Sequence, residues 1–68
     1  MEEKKIRFAT VVSNVPLNFR ESASVDGKRI AQLQPGTTVE VLSKRKEWTK
    51  IRFKGTTGYV MTNYIESK

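Results

Sequence analysis

A two-residue alternation of side chains is the feature that most constrains the fold of this chain. It is clearest over residues 37–43, where Val39 and Val41 point to one face and Glu40 and Leu42 to the other. No stretch sustains a helical period over about ten residues. The pattern therefore predicts β-strands and argues against the α and α/β classes.

Residues 48–54 form a second alternating segment. Thr49, Ile51 and Phe53 share one face, and the other face carries one aromatic and three cationic side chains: Trp48, Lys50, Arg52 and Lys54. A small core does not accept three cations. We therefore expect Trp48 to point outward beside a basic stripe. The apolar residues of the central strands are expected to form the core, namely Val39, Val41, Ile51, Phe53 and Val60.

Turn residues separate the apolar segments at short intervals, as in all-β barrels and sandwiches. The strongest turn signals are Asp26-Gly27, Pro35-Gly36 and Gly55. The polar stretch 20–29 is a long excursion for so small a domain, and long loops in compact domains are usually functional. A single helical turn is expected at residues 62–64.

Length and composition limit the chemistry that the chain can perform. Its 68 residues make one domain and include no cysteine and no histidine, which excludes disulfides and cysteine–histidine sites. The carboxylates Glu21, Asp26, Glu40 and Glu47 are scattered over turns and polar faces, whereas a glycosidase needs a pair across a cleft. We therefore expect no enzymatic activity, no cofactor and no metal.

The expected organisation is a charged tail at residues 1–5, one domain at residues 6–66 and a polar tail at residues 67–68. No apolar run approaches the length of a membrane span, and the N-terminus lacks the apolar stretch of a signal peptide. We therefore expect the chain to carry no targeting signal of its own. We expect an extracellular or cell-envelope location as part of a longer exported protein, with the cytoplasm as the open alternative.

Thirteen basic residues against seven acidic ones give a formal net charge of +6. This charge favours anionic partners such as teichoic acid, nucleic acid or an anionic membrane surface, unless it serves only solubility. The densest basic patch comprises Lys44, Arg45, Lys46, Lys50, Arg52 and Lys54. It predicts either phosphate binding or a solvated face that deters edge pairing. Nucleic-acid sites interleave aromatics with cations, and only Trp48 does so here, which argues against that partner.

Several short motifs follow one another in order: Leu17-Asn18-Phe19-Arg20 before a Ser-rich loop, Ile30-x-x-Leu33, Pro35-Gly36-Thr37, Val39-x-Val41-Leu42, Trp48 with Ile51 and Phe53, Gly55-x-x-Gly58-Tyr59-Val60 and Tyr64-Ile65. Together, over about residues 11–65, they resemble the bacterial SH3 domains of cell-wall hydrolases and other envelope proteins. The resemblance implies an all-β, small SH3-like barrel of roughly five to six short strands with one helical turn near the C-terminus.

The sequence departs from that family at two places beside the expected binding face. Glu21–Ser24 stand where the family often has a Gly-Pro pair, and Glu47 stands where it often has glycine. The segment 58–65 also resembles eukaryotic SH3 domains, but Met61 replaces their usual proline and their early Ala-Leu-Tyr-Asp-Tyr segment is missing. Recognition of a PxxP helix is therefore not expected.

The candidate ligand-binding residues are aromatic or polar and lie around the expected groove: Trp48, Tyr64, Tyr59, Arg20, Glu21 and Asp26. An outward Trp48 would supply a stacking platform, and the resemblance places Tyr64 in the groove. Tyr59 is open to a second interpretation as a half-core residue. Phe19 is expected in the core.

Two functions remain open for such a binding module. The resemblance implies targeting of a larger envelope protein or hydrolase to peptidoglycan, with wall peptide as the main partner and teichoic acid as a further one. The alternative is a protein-interaction module that binds an extended peptide in the same groove.

Overall fold

The computed structural model describes residues 6–67, so the tails expected at residues 1–5 and at residue 68 lie outside the described residues. Seven strands and one short 3₁₀ helix occupy this range: β1 Arg7–Val11, β2 Leu17–Arg20, β3 Arg29–Leu33, β4 Thr38–Lys44, β5 Trp48–Phe53, β6 Thr56–Met61, η1 Thr62–Tyr64 and β7 Ile65–Ser67. The all-β class and the late helical turn are confirmed. The strand count exceeds the expected five to six, and the last strand, β7, ends at Ser67, one residue beyond the expected domain.

The strands form one antiparallel sheet in the order β3-β2-β6-β5-β4-β1-β7. Strands β1 to β6 all contribute buried apolar side chains to one cluster, whose members are Ala9, Val11, Leu17, Phe19, Leu33, Val39, Ile51 and Val60. One sheet can bury residues of six strands in one cluster only if it curls around them. The fold is thus a small barrel with a single core.

The expected core is confirmed at its centre and differs at its margin. Val39, Ile51 and Val60 are buried, whereas Val41 and Phe53 are only partly buried and pack against the cluster. The pairing of β4 with β5 shifts register between Val41 and Ser43, which ends the regular alternation of inward side chains. Phe53 is the last residue of β5, next to the turn, and is therefore covered from fewer directions.

A two-residue turn joins β5 to β6 in a hairpin. Phe53 pairs with Thr56, so the loop is Lys54-Gly55 alone, and both loop residues have positive φ, 52° and 79°. This is the backbone of the two-residue turns that join twisted strands. Thr56 and Thr57 follow the turn directly as the first residues of β6.

Within residues 6–67, no helix is long and apolar enough to cross a membrane.

Candidate functional site

A groove of about 360 Å³ opens on the outer face of the barrel. It is lined by side chains from the 13–16 connection, β2, the 21–28 loop, β5, β6 and η1, namely Ser13, Val15, Pro16, Leu17, Asn18, Arg20, Val25, Trp48, Met61 and Tyr64. Most of these side chains are apolar, with a few amide, hydroxyl and guanidinium groups among them. Such a lining suits a ligand with an apolar body and a polar backbone.

Trp48 stands at the start of β5 and is half-buried, while the next residue, Thr49, is fully buried. Because neighbouring residues of a strand point to opposite faces, Trp48 faces outward, as the alternation predicted. Met61 is its cross-strand partner on β6. The indole and the thioether therefore lie side by side on the surface that the groove exposes.

Hydrogen bonds to backbone carbonyls hold the segment that carries Trp48 in place. The Arg45 N–H donates to the Trp48 carbonyl at 3.1 Å, and the Thr62 N–H donates to the Glu47 carbonyl at 2.8 Å. Thr62 Oγ1 also donates to the Arg45 carbonyl at 2.8 Å. The 45–47 hairpin is thus tied to both β5 and η1, which limits the ordering cost of binding.

Tyr64 lines the same groove from η1, where the resemblance placed it, and its side chain is 42% exposed. Its carbonyl accepts the Val12 N–H at 2.9 Å. The structure therefore brings Trp48 and Tyr64 to one site although they stand 16 positions apart in the sequence.

The 21–28 loop reaches the groove through Val25, whose side chain is 65% exposed. Arg20 supports this loop because its Nη1 donates to the Gly27 carbonyl at 2.8 Å. Glu21 and Asp26 were expected to line the groove, but neither is among its lining residues. Their backbones shape the loop instead: the Glu21 N–H donates to the Lys28 carbonyl, and the Asp26 N–H to Ser24 Oγ.

Tyr59 lies on the other side of Trp48, in a second hollow of about 600 Å³ that also contains Ala23, Arg45, Lys46 and Glu47. We call it the Arg45 hollow. Tyr59 is half-buried and pairs across the sheet with Lys50 on β5 and Arg20 on β2. The predicted aromatic residues thus all lie near Trp48, but they divide between two hollows that share its indole as a wall.

The cations of the predicted basic patch have different neighbours. Arg52 pairs with Glu40 across β4 and β5 through Nη2 at 2.9 Å from Oε1, and Lys54 Nζ lies 5.5 Å from the Phe53 ring centroid. Lys44 lines a separate hollow with Phe8 and Val41. Arg45 and Lys46 lie at the Arg45 hollow, and Lys50 flanks Tyr59. Within residues 6–67, no group of three or more acidic residues could hold a metal ion.

Sequence reasoning missed the apolar part of the groove, especially Val15, Pro16, Val25 and Met61. Met61 had a usable signal, because the pairing Phe53 to Thr56 places it directly opposite Trp48. The others come from connections whose path depends on the folded barrel, and no local pattern marks them.

Comparison with known proteins identifies the family. The Bacterial SH3 domain family matches residues 13–66, and the chain belongs to this family. A bacteriocin of Clostridium perfringens, Bacteriocin BCN5, is 39% identical over 49 residues, which are 72% of this chain and 6% of that protein. The chain therefore spans only a small part of that relative. Bacterial SH3 domains are generally non-catalytic binding modules, often found in exported or envelope proteins.

Proposed function

We propose that this chain is a non-catalytic module that brings a larger envelope protein or cell-wall hydrolase to peptidoglycan by binding wall peptide in the groove. The observation that carries the proposal is the position of Trp48, which is half-buried, lies beside Met61 and lines the same groove as Tyr64. Aromatic residues with one covered and one open face are common anchors of binding sites.

The chemistry of the groove supports a peptide ligand. Asn18 Oδ1 accepts a hydrogen bond from Gln32 Nε2 at 3.3 Å, which fixes the amide and leaves its two N–H groups for a ligand carbonyl. Tyr64 and Ser13 offer hydroxyl groups beside the apolar wall of Pro16 and Leu17. A peptide alternates amide groups with small side chains and can satisfy both parts of this lining.

The groove is small, and this sets the expected strength of binding. A volume of about 360 Å³ lies at the lower end of ligand sites, so a single domain would bind only a short peptide with modest affinity. Repeated domains, or a repeating polymer, would raise the effective affinity without new contacts. Peptidoglycan presents its peptides repeatedly, which suits a weak module of this kind.

The family match and the bacteriocin relative support the wall assignment. We place the module outside the cell membrane, in the envelope or medium, as part of a longer exported protein, with the cytoplasm as the alternative. Teichoic acid is a further candidate partner because the net charge is +6, although the cations are dispersed around the barrel.

Co-sedimentation with purified peptidoglycan, with and without teichoic acid, tests the proposal. We expect the chain to pellet with both preparations and Trp48→Ala to remain in the supernatant. Pelleting that requires teichoic acid would mean that the polymer, and not the peptide, is the ligand. The absence of pelleting with either preparation would refute wall targeting.

The second candidate is a protein-interaction module that binds an extended peptide in the same groove. The groove residues favour it equally, because an apolar wall with amide and hydroxyl groups is not specific for wall peptide. The parent open reading frame distinguishes the two: a neighbouring hydrolase domain and a signal peptide favour wall targeting, and their absence favours a protein partner.

A further inference from the structure

The Arg45 hollow and the groove adjoin at Trp48, which lines both. Met61 lies on the groove side and Tyr59 in the hollow, two residues apart on the same face of β6. Residues two apart on a strand are separated by about 7 Å. A ligand two peptide residues long can therefore contact both sites.

The two sites differ in charge. Among the charged side chains of residues 6–67, only Arg20 lines the groove, and its guanidinium donates a hydrogen bond to the Gly27 carbonyl. The hollow contains two cations, Arg45 and Lys46, and one carboxylate, Glu47. Neither cation forms an ion pair within residues 6–67, where the ion pair present is that of Arg52 with Glu40. The hollow therefore offers a net positive charge next to an apolar groove.

The backbone that carries these cations is already ordered. The Arg45 N–H donates to the Trp48 carbonyl, and the Arg45 carbonyl accepts a hydrogen bond from Thr62 Oγ1. The Glu47 carbonyl accepts the Thr62 N–H. Of the ordering cost of binding an anion there, the backbone part is therefore small, and the two long side chains account for most of it.

We propose that the Arg45 hollow binds the free terminal carboxylate of the peptide whose preceding residues occupy the groove. This inference rests on the proposed function of the groove and adds a specificity: the module recognises a peptide end rather than an internal segment. One anion suits the hollow because Glu47 lowers its net charge to that of a single cation.

A polyanion fits the arrangement less well than a single carboxylate. A phosphodiester chain needs a continuous row of cations, but Arg52 is engaged by Glu40, and Lys44 lies in a different hollow. Lys54 follows the far end of β5 from Trp48 and contacts Phe53. With Lys50, which flanks Tyr59, the cations near Trp48 form a local cluster toward one end of β5 and not a track along the whole strand.

The test compares a synthetic peptidoglycan stem peptide with a free C-terminus to the same peptide as its C-terminal carboxamide, using Trp48 fluorescence and calorimetry. The full chain is compared with Arg45→Gln/Lys46→Gln and with a control of equal charge change at a distance, Arg7→Gln/Lys54→Gln. Circular dichroism checks that each variant is folded. Poly(glycerol phosphate) is used as a competitor.

We expect the free acid to bind about fivefold tighter than the carboxamide, the usual size of one partly exposed charge pair. This preference should persist in Arg7→Gln/Lys54→Gln and disappear in Arg45→Gln/Lys46→Gln, while the carboxamide binds all three chains alike. Equal affinity of the two peptides for the unmodified chain, with both lost in Trp48→Ala, would overturn the carboxylate site and leave the groove intact.

Two other outcomes also overturn the inference. If neither peptide binds, the proposed function of the groove fails and the carboxylate site with it. If poly(glycerol phosphate) displaces the free acid and loses affinity in Arg45→Gln/Lys46→Gln, the hollow recognises phosphate polymers and not a peptide end.

Discussion

The hydroxyl oxygens of Thr49 and Thr62 lie 2.7 Å apart and join the buried side of β5 to η1. Thr62 Oγ1 donates its proton to the Arg45 carbonyl. Since a hydroxyl has one proton to donate, Thr49 must be the donor of the contact between them. This relay connects the core to the hairpin and the turn that flank the groove.

The relay predicts an unequal effect of two similar substitutions. Thr62→Val should cost about 1–3 kcal/mol of unfolding free energy, because it leaves the fully buried Thr49 hydroxyl without an acceptor. Thr49→Val should cost about 1 kcal/mol or less, since it removes the buried donor itself. Urea unfolding should show that the double variant is more stable than Thr62→Val alone. Simple additivity of the two costs would mean that the hydroxyls act independently.

Gly58 is predicted to be intolerant of any side chain. A Cβ there would lie 2.6 Å from the Arg20 carbonyl oxygen and 2.7 Å from Phe19 Cε1, so β2 and β6 would have to separate. Gly58→Ala should cost about 1–3 kcal/mol or more, measured by urea unfolding.

Gly36 is the matched control for Gly58. No atom lies within 4 Å of its Cβ position, and its φ is +89°, so Gly36→Ala should cost only about 1 kcal/mol, from backbone strain alone. An equally mild effect of Gly58→Ala would show that β2 and β6 do not approach each other as closely as described.

Ile51 is fully buried at the centre of the core. Ile51→Ala should lower the unfolding free energy by about 2–5 kcal/mol. This is a large part of the stability of a small domain, so thermal melts should show that the variant is largely unfolded. Leu42→Ala, at a side chain 38% exposed, serves as the comparison and should cost about 1 kcal/mol or less. A loss below about 1 kcal/mol for Ile51→Ala would remove Ile51 from the core.

Trp48→Ala should keep the circular dichroism spectrum and lose more than about tenfold in affinity for peptidoglycan, because a central aromatic anchor contributes about 2 kcal/mol. Lys50 flanks Tyr59 but lines neither the groove nor the Arg45 hollow. Lys50→Ala should therefore bind almost normally, with an effect of about 1 kcal/mol or less that depends on salt.

Two results would contradict this assignment of roles. Melting of the barrel in Trp48→Ala would make the indole a structural residue. Loss of binding in Lys50→Ala and Arg52→Ala, with binding retained in Trp48→Ala, would identify a polyanion read by charge.

The fold was predictable from the sequence because its signals are local. Val39, Ile51 and Val60 follow a period of two, and that period alone assigns them to the inner face. Val41 and Phe53 were overestimated as core residues because a register shift and the end of a strand interrupt the period, and neither is visible in a run of apolar residues.

The site was predictable only where one turn sets its geometry. Once Lys54-Gly55 is the loop, counting back along the hairpin pairs Trp48 with Met61 and Lys50 with Tyr59. Val15 and Val25 could not be found in this way, because their positions depend on the paths of the 13–16 connection and the 21–28 loop over the curled sheet. The sequence likewise could not reveal that Glu40 engages Arg52, because this contact depends on the register of β4 with β5.

The groove is assembled from segments far apart in the chain, Val15–Pro16, Val25, Trp48 and Tyr64, so it exists only while the domain is folded. Any true ligand must therefore shift the folding equilibrium, by about 2.7 kcal/mol at a concentration of 100 times its dissociation constant. In a domain of this size each kcal/mol moves the melting temperature by about 4–8 °C. The melting temperature of the barrel can thus serve as a label-free sensor with which to screen wall fragments for the natural ligand.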